Sequence, residues 1–252
     1  MNIRYVRQSL VLPTEHHNPT VQVSPGGDGN SWNLYTIADW DGPVTVTTST
    51  DHGISWSTGG DDGGGGATTE QTVMPHNNPG PVLNKDGSML MYYRFETELE
   101  APTCSMEAIG MQRCASARGP CRGDANSGSS KPLFKHTAED PSVFVDVRGN
   151  FHMLVNALPY ACAPKTNQGG HAWSNDGVTW SEPRVGAFNT TVTFTDGAAI
   201  TCERRERPQM IMDPETNRPL VLMTAVFNCP PFGDGIYAGG NDDSFTLAQE
   251  ML

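Results

Sequence analysis

The sequence predicts an all-β fold, a β-propeller of four-stranded blades with four repeats visible. Three observations carry this. First, a polar pair followed by proline and an apolar strand recurs as His17-Asn18-Pro19, Asn77-Asn78-Pro79, Glu139-Asp140-Pro141 and Glu206-Arg207-Pro208. The prolines stand 60, 62 and 67 residues apart. A fixed period with one supersecondary unit per repeat marks a repeat architecture. Second, each unit runs through a turn into another apolar strand, as in Ser142–Val147, Gly149-Asn150, Phe151–Val155. A β-rich unit of this length suits a blade carrying long loops. Third, the 27 Gly and 19 Pro make up about 18% of the chain, against a usual ~12%. No 3.6-residue apolar stripe accompanies them, so long helices are not expected.

The 252 residues fit one large β domain spanning 1–252, with a sizeable core. The blades are expected at about 13–72, 73–134, 135–200 and 201–252. A net charge of −12 with only 16 Lys and Arg argues against a nucleic-acid partner. No apolar run approaches the ~20 residues that span a membrane. Met1–Arg7 lacks the apolar segment of a signal peptide. The location is therefore cytoplasmic, or secretory if an upstream signal has been removed. Six cysteines stand at 104, 114, 121, 162, 202 and 229 without a CxxC pair, so a zinc ribbon is not expected. Three disulfides and six thiols both remain open. Asn189-Thr190-Thr191 is a glycosylation triplet.

Taken in order, residues 1–12 read as a strand of a preceding or closing blade. The first repeat has its third strand at Val44–Thr48. Gly59–Gly66 reads as a flexible surface loop. In the second repeat, Ile109–Arg113 is the third strand and Ala117–Pro120 the turn after it, with Asp124–Ser130 as loop. In the third, Gly169–Trp173 opens the third strand. In the fourth, Ser244–Leu247 is an outer strand.

Ser49-Thr50-Asp51-His52-Gly53-Ile54-Ser55-Trp56 lies 30 residues after Pro19, and Ser174-Asn175-Asp176-Gly177-Val178-Thr179-Trp180 lies 33 after Pro141. Asp can accept bonds from turn amides, Gly permits positive φ, and Trp can pack between blades. Both stretches resemble the Asp box of sialidase-like propellers. That resemblance implies a structural turn between third and fourth strands, so Asp51 and Asp176 are set aside from catalysis.

In a propeller the innermost strands line an axial channel, and their first residues gather at its mouth. A residue before proline is pushed towards extended geometry, so the four units are expected to present His17, Asn18, Asn77, Asn78, Glu139, Asp140, Glu206 and Arg207 at equivalent places. The polar-Pro repeat resembles the five-bladed propeller glycosidases of the arabinanase, β-xylosidase, invertase and levansucrase type, in which Asp-Pro opens successive inner strands. Four visible repeats are then one short, and a blade is expected to be missing. The resemblance implies hydrolysis of an O-glycosidic bond in an oligo- or polysaccharide through inward carboxylates. Asp140 matches the Asp of such a unit, Glu206 is the candidate general acid, and Glu139 tunes them. His17, Asn18, Asn78, Arg94, His171 and Arg207 are candidate sugar contacts, with Arg205 as a further cation. Asn18 and Asn78 stand where an Asp is expected, and an amide cannot act as a base. A second expectation is therefore a degenerate propeller that binds carbohydrate without cutting it. A sialidase-like enzyme is a third, but it needs a tyrosine nucleophile, and Tyr92 and Tyr93 read as strand residues. A protein-interaction scaffold is a fourth. Glycoside cleavage asks for two carboxyls about 5–5.5 Å apart for retention or 6.5–9.5 Å for inversion. His171 reads equally as a channel residue or a packed one; His76 and His136 are weaker candidates. Trp40 is the candidate sugar platform, with Trp32 and Trp173 expected to pack. No metal ligand or cofactor is assigned, a divalent ion such as Ca2+ in the channel is left open, and a monomer is expected.

Overall fold

The computed structural model describes residues 16–24, 31–39, 42–56, 71–97, 106–122, 132–134, 137–157, 168–213, 215–229 and 244–251. The expectations for residues 1–12, 59–66 and 124–130, and for Trp40, Cys104, His136 and Cys162, lie outside them.

The chain is an all-β propeller of four blades, each an antiparallel sheet in chain order. Blade 1 holds β1 (His16–Val23), β2 (Trp32–Ala38), β3 (Val44–Ser49) and β4 (Gln71–Met74). Blade 2 holds β5 (Asn77–Leu83), β6 (Met89–Thr97), β7 (Met106–Cys114) and β8 (Cys121–Arg122). Blade 3 holds β9 (Ala138–Val145), β10 (Phe151–Ala157), β11 (Gln168–Ser174) and β12 (Arg184–Val185). A separate hairpin follows, β13 (Thr191–Thr193) with β14 (Ala199–Thr201). Blade 4 has three strands among the described residues, β15 (Arg204–Met212), β16 (Pro219–Phe227) and β17 (Ser244–Glu250). No helix of the described residues is long and apolar enough to cross a membrane.

The inner strands β1, β5, β9 and β15 are neighbours in that order around the axis. Thr20 Oγ1 donates to Gln209 Oε1 at 3.0 Å, joining the first and last of them. The core lies between blades. Blades 1 and 2 close on Tyr35, Val46, Met91 and Tyr93. Blades 2 and 3 close on Leu90, Tyr92, Ile109, Val143 and Met153. Blades 3 and 4 close on Leu154, Phe188 and Leu222. Each such side chain contributes about 1.5–3 kcal/mol when removed from water. Tyr92 and Tyr93 are fully buried strand residues.

The octet Ser49–Trp56 and the seven-residue stretch Ser174–Trp180 build matching turns. Ser49 Oγ donates to Asp51 Oδ1 at 2.8 Å, and Asp51 Oδ1 accepts the Ser55 N–H at 2.8 Å. Ser174 Oγ donates to Asp176 Oδ1 at 2.9 Å, and Asp176 Oδ1 accepts the Val178 and Thr179 N–H groups. Asp51 Oδ2 also accepts the Ser55 hydroxyl at 2.6 Å, and the Ser55 bonds on Asp51 and the Thr179 and Val178 N–H bonds on Asp176 hold both carboxyls down, to about 2. Each indole N–H donates to its turn's glycine carbonyl at 3.1 Å. Trp180 then packs edge-on against Tyr92 of blade 2, whose hydroxyl donates to Gly177 O at 2.7 Å. Blade 2 has no such octet. Its equivalent turn is held by the Cys114–Cys121 disulfide and the Gly119 N–H to Ser116 O bond. A second disulfide joins Cys202 to Cys229.

The axial mouth: a candidate functional site

Every inner strand breaks its ladder at the polar-Pro pair. The register slips between His17 and Thr20, between Asn77 and Gly80, opposite Leu154–Asn156, and between Glu206 and Gln209. Proline has no N–H for the ladder and is tolerated in a sheet at an edge, a strand start or a bulge. The sequence expectation of extended pre-proline backbone fails here. Asn18, Asn78, Asp140 and Arg207 all have left-handed φ, at 50°, 51°, 54° and 53°. The bulge supplies the reason, because its extra residue must leave the ladder. Asn and Asp tolerate this region well; Arg does not, and such strain costs about 1–3 kcal/mol where the surroundings impose it.

Four equivalent residues thus meet at one end of the axis. Asn18 Nδ2 donates to Asn78 Oδ1 at 2.7 Å, and Asn78 Nδ2 donates to Asp140 Oδ1 at 2.8 Å. The Arg207 backbone N–H also donates to the Asp140 carboxylate. Asn18 Oδ1 ends the chain as a buried acceptor with no partner among the described residues. Gly80 permits this closeness, since a methyl there would collide with the Pro141 carbonyl on the neighbouring inner strand.

Beside this chain lies a carboxyl cluster. Glu139 Oε1 accepts from Asn156 Nδ2 at 3.0 Å, and its Oε2 is 3.8 Å from Arg94 Nη1. Arg94 sits on the second strand of blade 2, not on an inner strand, but reaches inward. Its Nη1 donates to Glu107 Oε1 at 2.8 Å and its Nε to Asn77 Oδ1 at 3.0 Å. Glu107 shares a hydrogen bond with Glu139. The carboxyl of Glu206 is 3.8 Å from the half-exposed Arg207 guanidinium. Burial, then the charges of Asp140, Glu107 and Glu206, push Glu139 up to about 9. Burial also pushes Asp140 up to about 7, with Arg207 and its backbone N–H opposing and Glu206 reinforcing. Taking a carboxylate out of water disfavours its charged form, and a like charge nearby does the same. Both carboxyls are therefore held towards their protonated forms, Glu139 the more strongly.

Sequence reasoning missed Glu107. It lies on the third strand, a place that a polar-Pro count does not sample. His17, the second residue of β1, pairs with Ile37 at the same end. His171 does not belong here. It sits on β11, two strands from the axis, where its Nε2 meets His152 Nδ1 at 2.9 Å, and His152 Nε2 is 3.4 Å from Asp146. Burial lowers its pKa. Arg205 is buried instead against Thr224, Gln249 and the Phe188 ring. His76 stacks on Tyr93. Trp173, expected to pack, is half exposed. It lies at the β11 end away from the mouth, because β11 pairs antiparallel with β10, whose Asn156 stands opposite Glu139. No cluster of three or more His, Cys, Asp or Glu able to hold a metal occurs among the described residues.

Solved structures share this architecture at low identity. An N-acetylgalactosamine deacetylase from F. plautii, in complex with blood group B trisaccharide, matches over 97% of this chain and 68% of its own, with a TM-score of 0.56 and 12% identity. A thermostable family-43 glycoside hydrolase matches over 93% and 70%, at 0.57 and 12%. A family-117 glycoside hydrolase from Zobellia galactanivorans matches over 92% and 59%, at 0.52 and 16%. These likenesses show the fold alone. No family model and no curated protein matches the chain in sequence.

Proposed function

We propose that the axial mouth takes an oligo- or polysaccharide and that its carboxyls hydrolyse a glycosidic bond. The observation that carries this is the convergence of Glu139, Asp140, Glu107 and Glu206 with Arg94 and Arg207 at the mouth, where burial raises the Glu139 and Asp140 carboxyls above their ordinary range. Cleavage of a glycoside requires two carboxyls flanking the scissile bond, one to give a proton and one to act as base or nucleophile. In this reading Glu206, at the lip beside Arg207, protonates the leaving oxygen. Asp140 is its ionisable counterpart, held by Asn78 and the Arg207 N–H, and protonated Glu139 limits the negative charge of the site. Asn18 Oδ1 offers a sugar hydroxyl a buried acceptor. His17, Asn18, Asn78, Arg94 and Arg207 form the binding lip.

A second reading keeps the binding and drops the chemistry. It is favoured by one observation: two of the four axial positions hold amides, and Asn78 spends its donor on Asp140 Oδ1. The Asp-box reading of the two turns is structural in either case. The test is a panel of aryl glycosides and plant or algal oligosaccharides, followed by both turnover and calorimetric binding. Turnover supports the hydrolase, binding without turnover supports the second reading, and neither would remove carbohydrate from the account.

A further inference from the structure

We propose that Asn189 is a site of N-linked glycosylation. Asn189-Thr190-Thr191 is the single Asn-x-Ser/Thr triplet of the sequence once Asn18-Pro19-Thr20 is set aside for its middle proline. The structure places the triplet where a glycan can stand. Asn189 is exposed, in the loop between β12 and β13. Its Oδ1 accepts the Thr191 N–H at 2.9 Å, and its Nδ2 donates no hydrogen bond among the described residues. The loop is anchored by main chain and by its neighbours. Asn189 O accepts from Arg205 Nη1 at 3.3 Å, Thr190 O accepts the Cys202 N–H at 3.0 Å, and Phe188 and Val192 are buried on either side. A substituent on Nδ2 disturbs none of these contacts.

A second observation points to the compartment. Cys114–Cys121 and Cys202–Cys229 are both disulfides, and such bonds persist in the oxidising secretory pathway, where N-glycosylation also takes place. The co-reactant is a lipid-linked diphospho-oligosaccharide. The Asn189 Nδ2–C1 bond forms as the C1–O bond to phosphate breaks. The amide nitrogen loses one proton, and the polyprenyl diphosphate leaves with the electron pair.

The test is secretion of the full chain from a eukaryotic host, with intact mass measured before and after peptide-N-glycosidase. The expected wild type loses the mass of one glycan, and tandem spectra place the resulting aspartate at position 189. Asn189→Gln and Thr191→Ala emerge at the unmodified masses of their own sequences, whereas Thr191→Ser keeps the glycan. A secreted wild type of unmodified mass, or a shift that persists in Asn189→Gln, overturns the proposal. Should Asn189→Gln fail to be secreted, the contrast between Thr191→Ala and Thr191→Ser decides. The outcome is independent of the axial chemistry.

Discussion

Asn78 and Asp140, 62 residues apart and on neighbouring blades, are joined by a 2.8 Å hydrogen bond from Nδ2 to Oδ1. Both are pre-proline residues with left-handed backbone, so the bond links two bulges that the repeat places at equivalent points. It also favours the charged form of a carboxyl that burial pushes the other way.

Replacing Asn78 by Leu removes that donor and strands Asp140 Oδ1. The expected cost is about 1–3 kcal/mol of stability, the penalty of a buried unsatisfied polar group, read from urea unfolding. The Asp140 titration moves up from about 7, measured by carboxyl NMR. An unchanged titration would show that the bond does not set the charge of Asp140.

Gly80→Ala tests the approach of two inner strands. Its methyl meets the Pro141 carbonyl, backbone that cannot rotate away. Strands β5 and β9 must part, taking Asn78 from Asp140. Overpacking of this kind costs about 1–3 kcal/mol, and carbohydrate binding is expected to weaken with it. Full stability and binding in Gly80→Ala would contradict the packing described.

Stability should fall as pH rises. Asp140 and Glu139 have folded-state values near 7 and 9, above their ordinary carboxyl values, so the native state holds protons that the unfolded chain releases. Their contribution is fully present below about pH 4, is lost progressively above it, and is gone above about pH 9. Asp51 and Asp176 act in the opposite sense, losing stability as pH falls towards 2. Melting temperatures from about pH 5 to 9 should therefore decline. Glu139→Gln should flatten that decline, and an equal slope in the variant would count against the Glu139 assignment.

Glu107→Gln removes the like charge beside Glu139 and leaves Arg94 an amide oxygen to bond. The Glu139 titration should drop below about 9, because both the charge and the hydrogen bond of Glu107 raise it. A titration unmoved by Glu107→Gln would separate the two carboxyls.

The propeller was legible because each blade writes the same local rule, a polar pair, a proline and an apolar strand. That rule puts Asn18, Asn78, Asp140 and Arg207 at equivalent points of the four inner strands. It misjudged their backbone, because pre-proline preference is a local tendency and the bulge is imposed by the missing proline N–H in a sheet. Glu107, Arg94 and His171 depend on side-chain reach across strands, which spacing along the chain does not encode. Arg94 is a candidate by residue type alone, Glu107 leaves no signal in the repeat, and His171, which reads equally as a channel or a packed residue, sits two strands from the axis. The β13–β14 hairpin did leave a signal, Asp196-Gly197 between Thr-Val-Thr and Ala-Ile-Thr, which is a strong turn dipeptide between strand formers. Cysteine pairing had no comparable local rule.

The most direct measurement is hydrolysis of the glycoside panel by the wild type, Asp140→Asn and Glu206→Gln, each with folding checked by circular dichroism. The expected result is turnover by the wild type and its loss by about 100-fold or more in both variants, the scale of a missing acid–base group. Full turnover in both folded variants would contradict the assignment of the axial carboxyls to the chemistry.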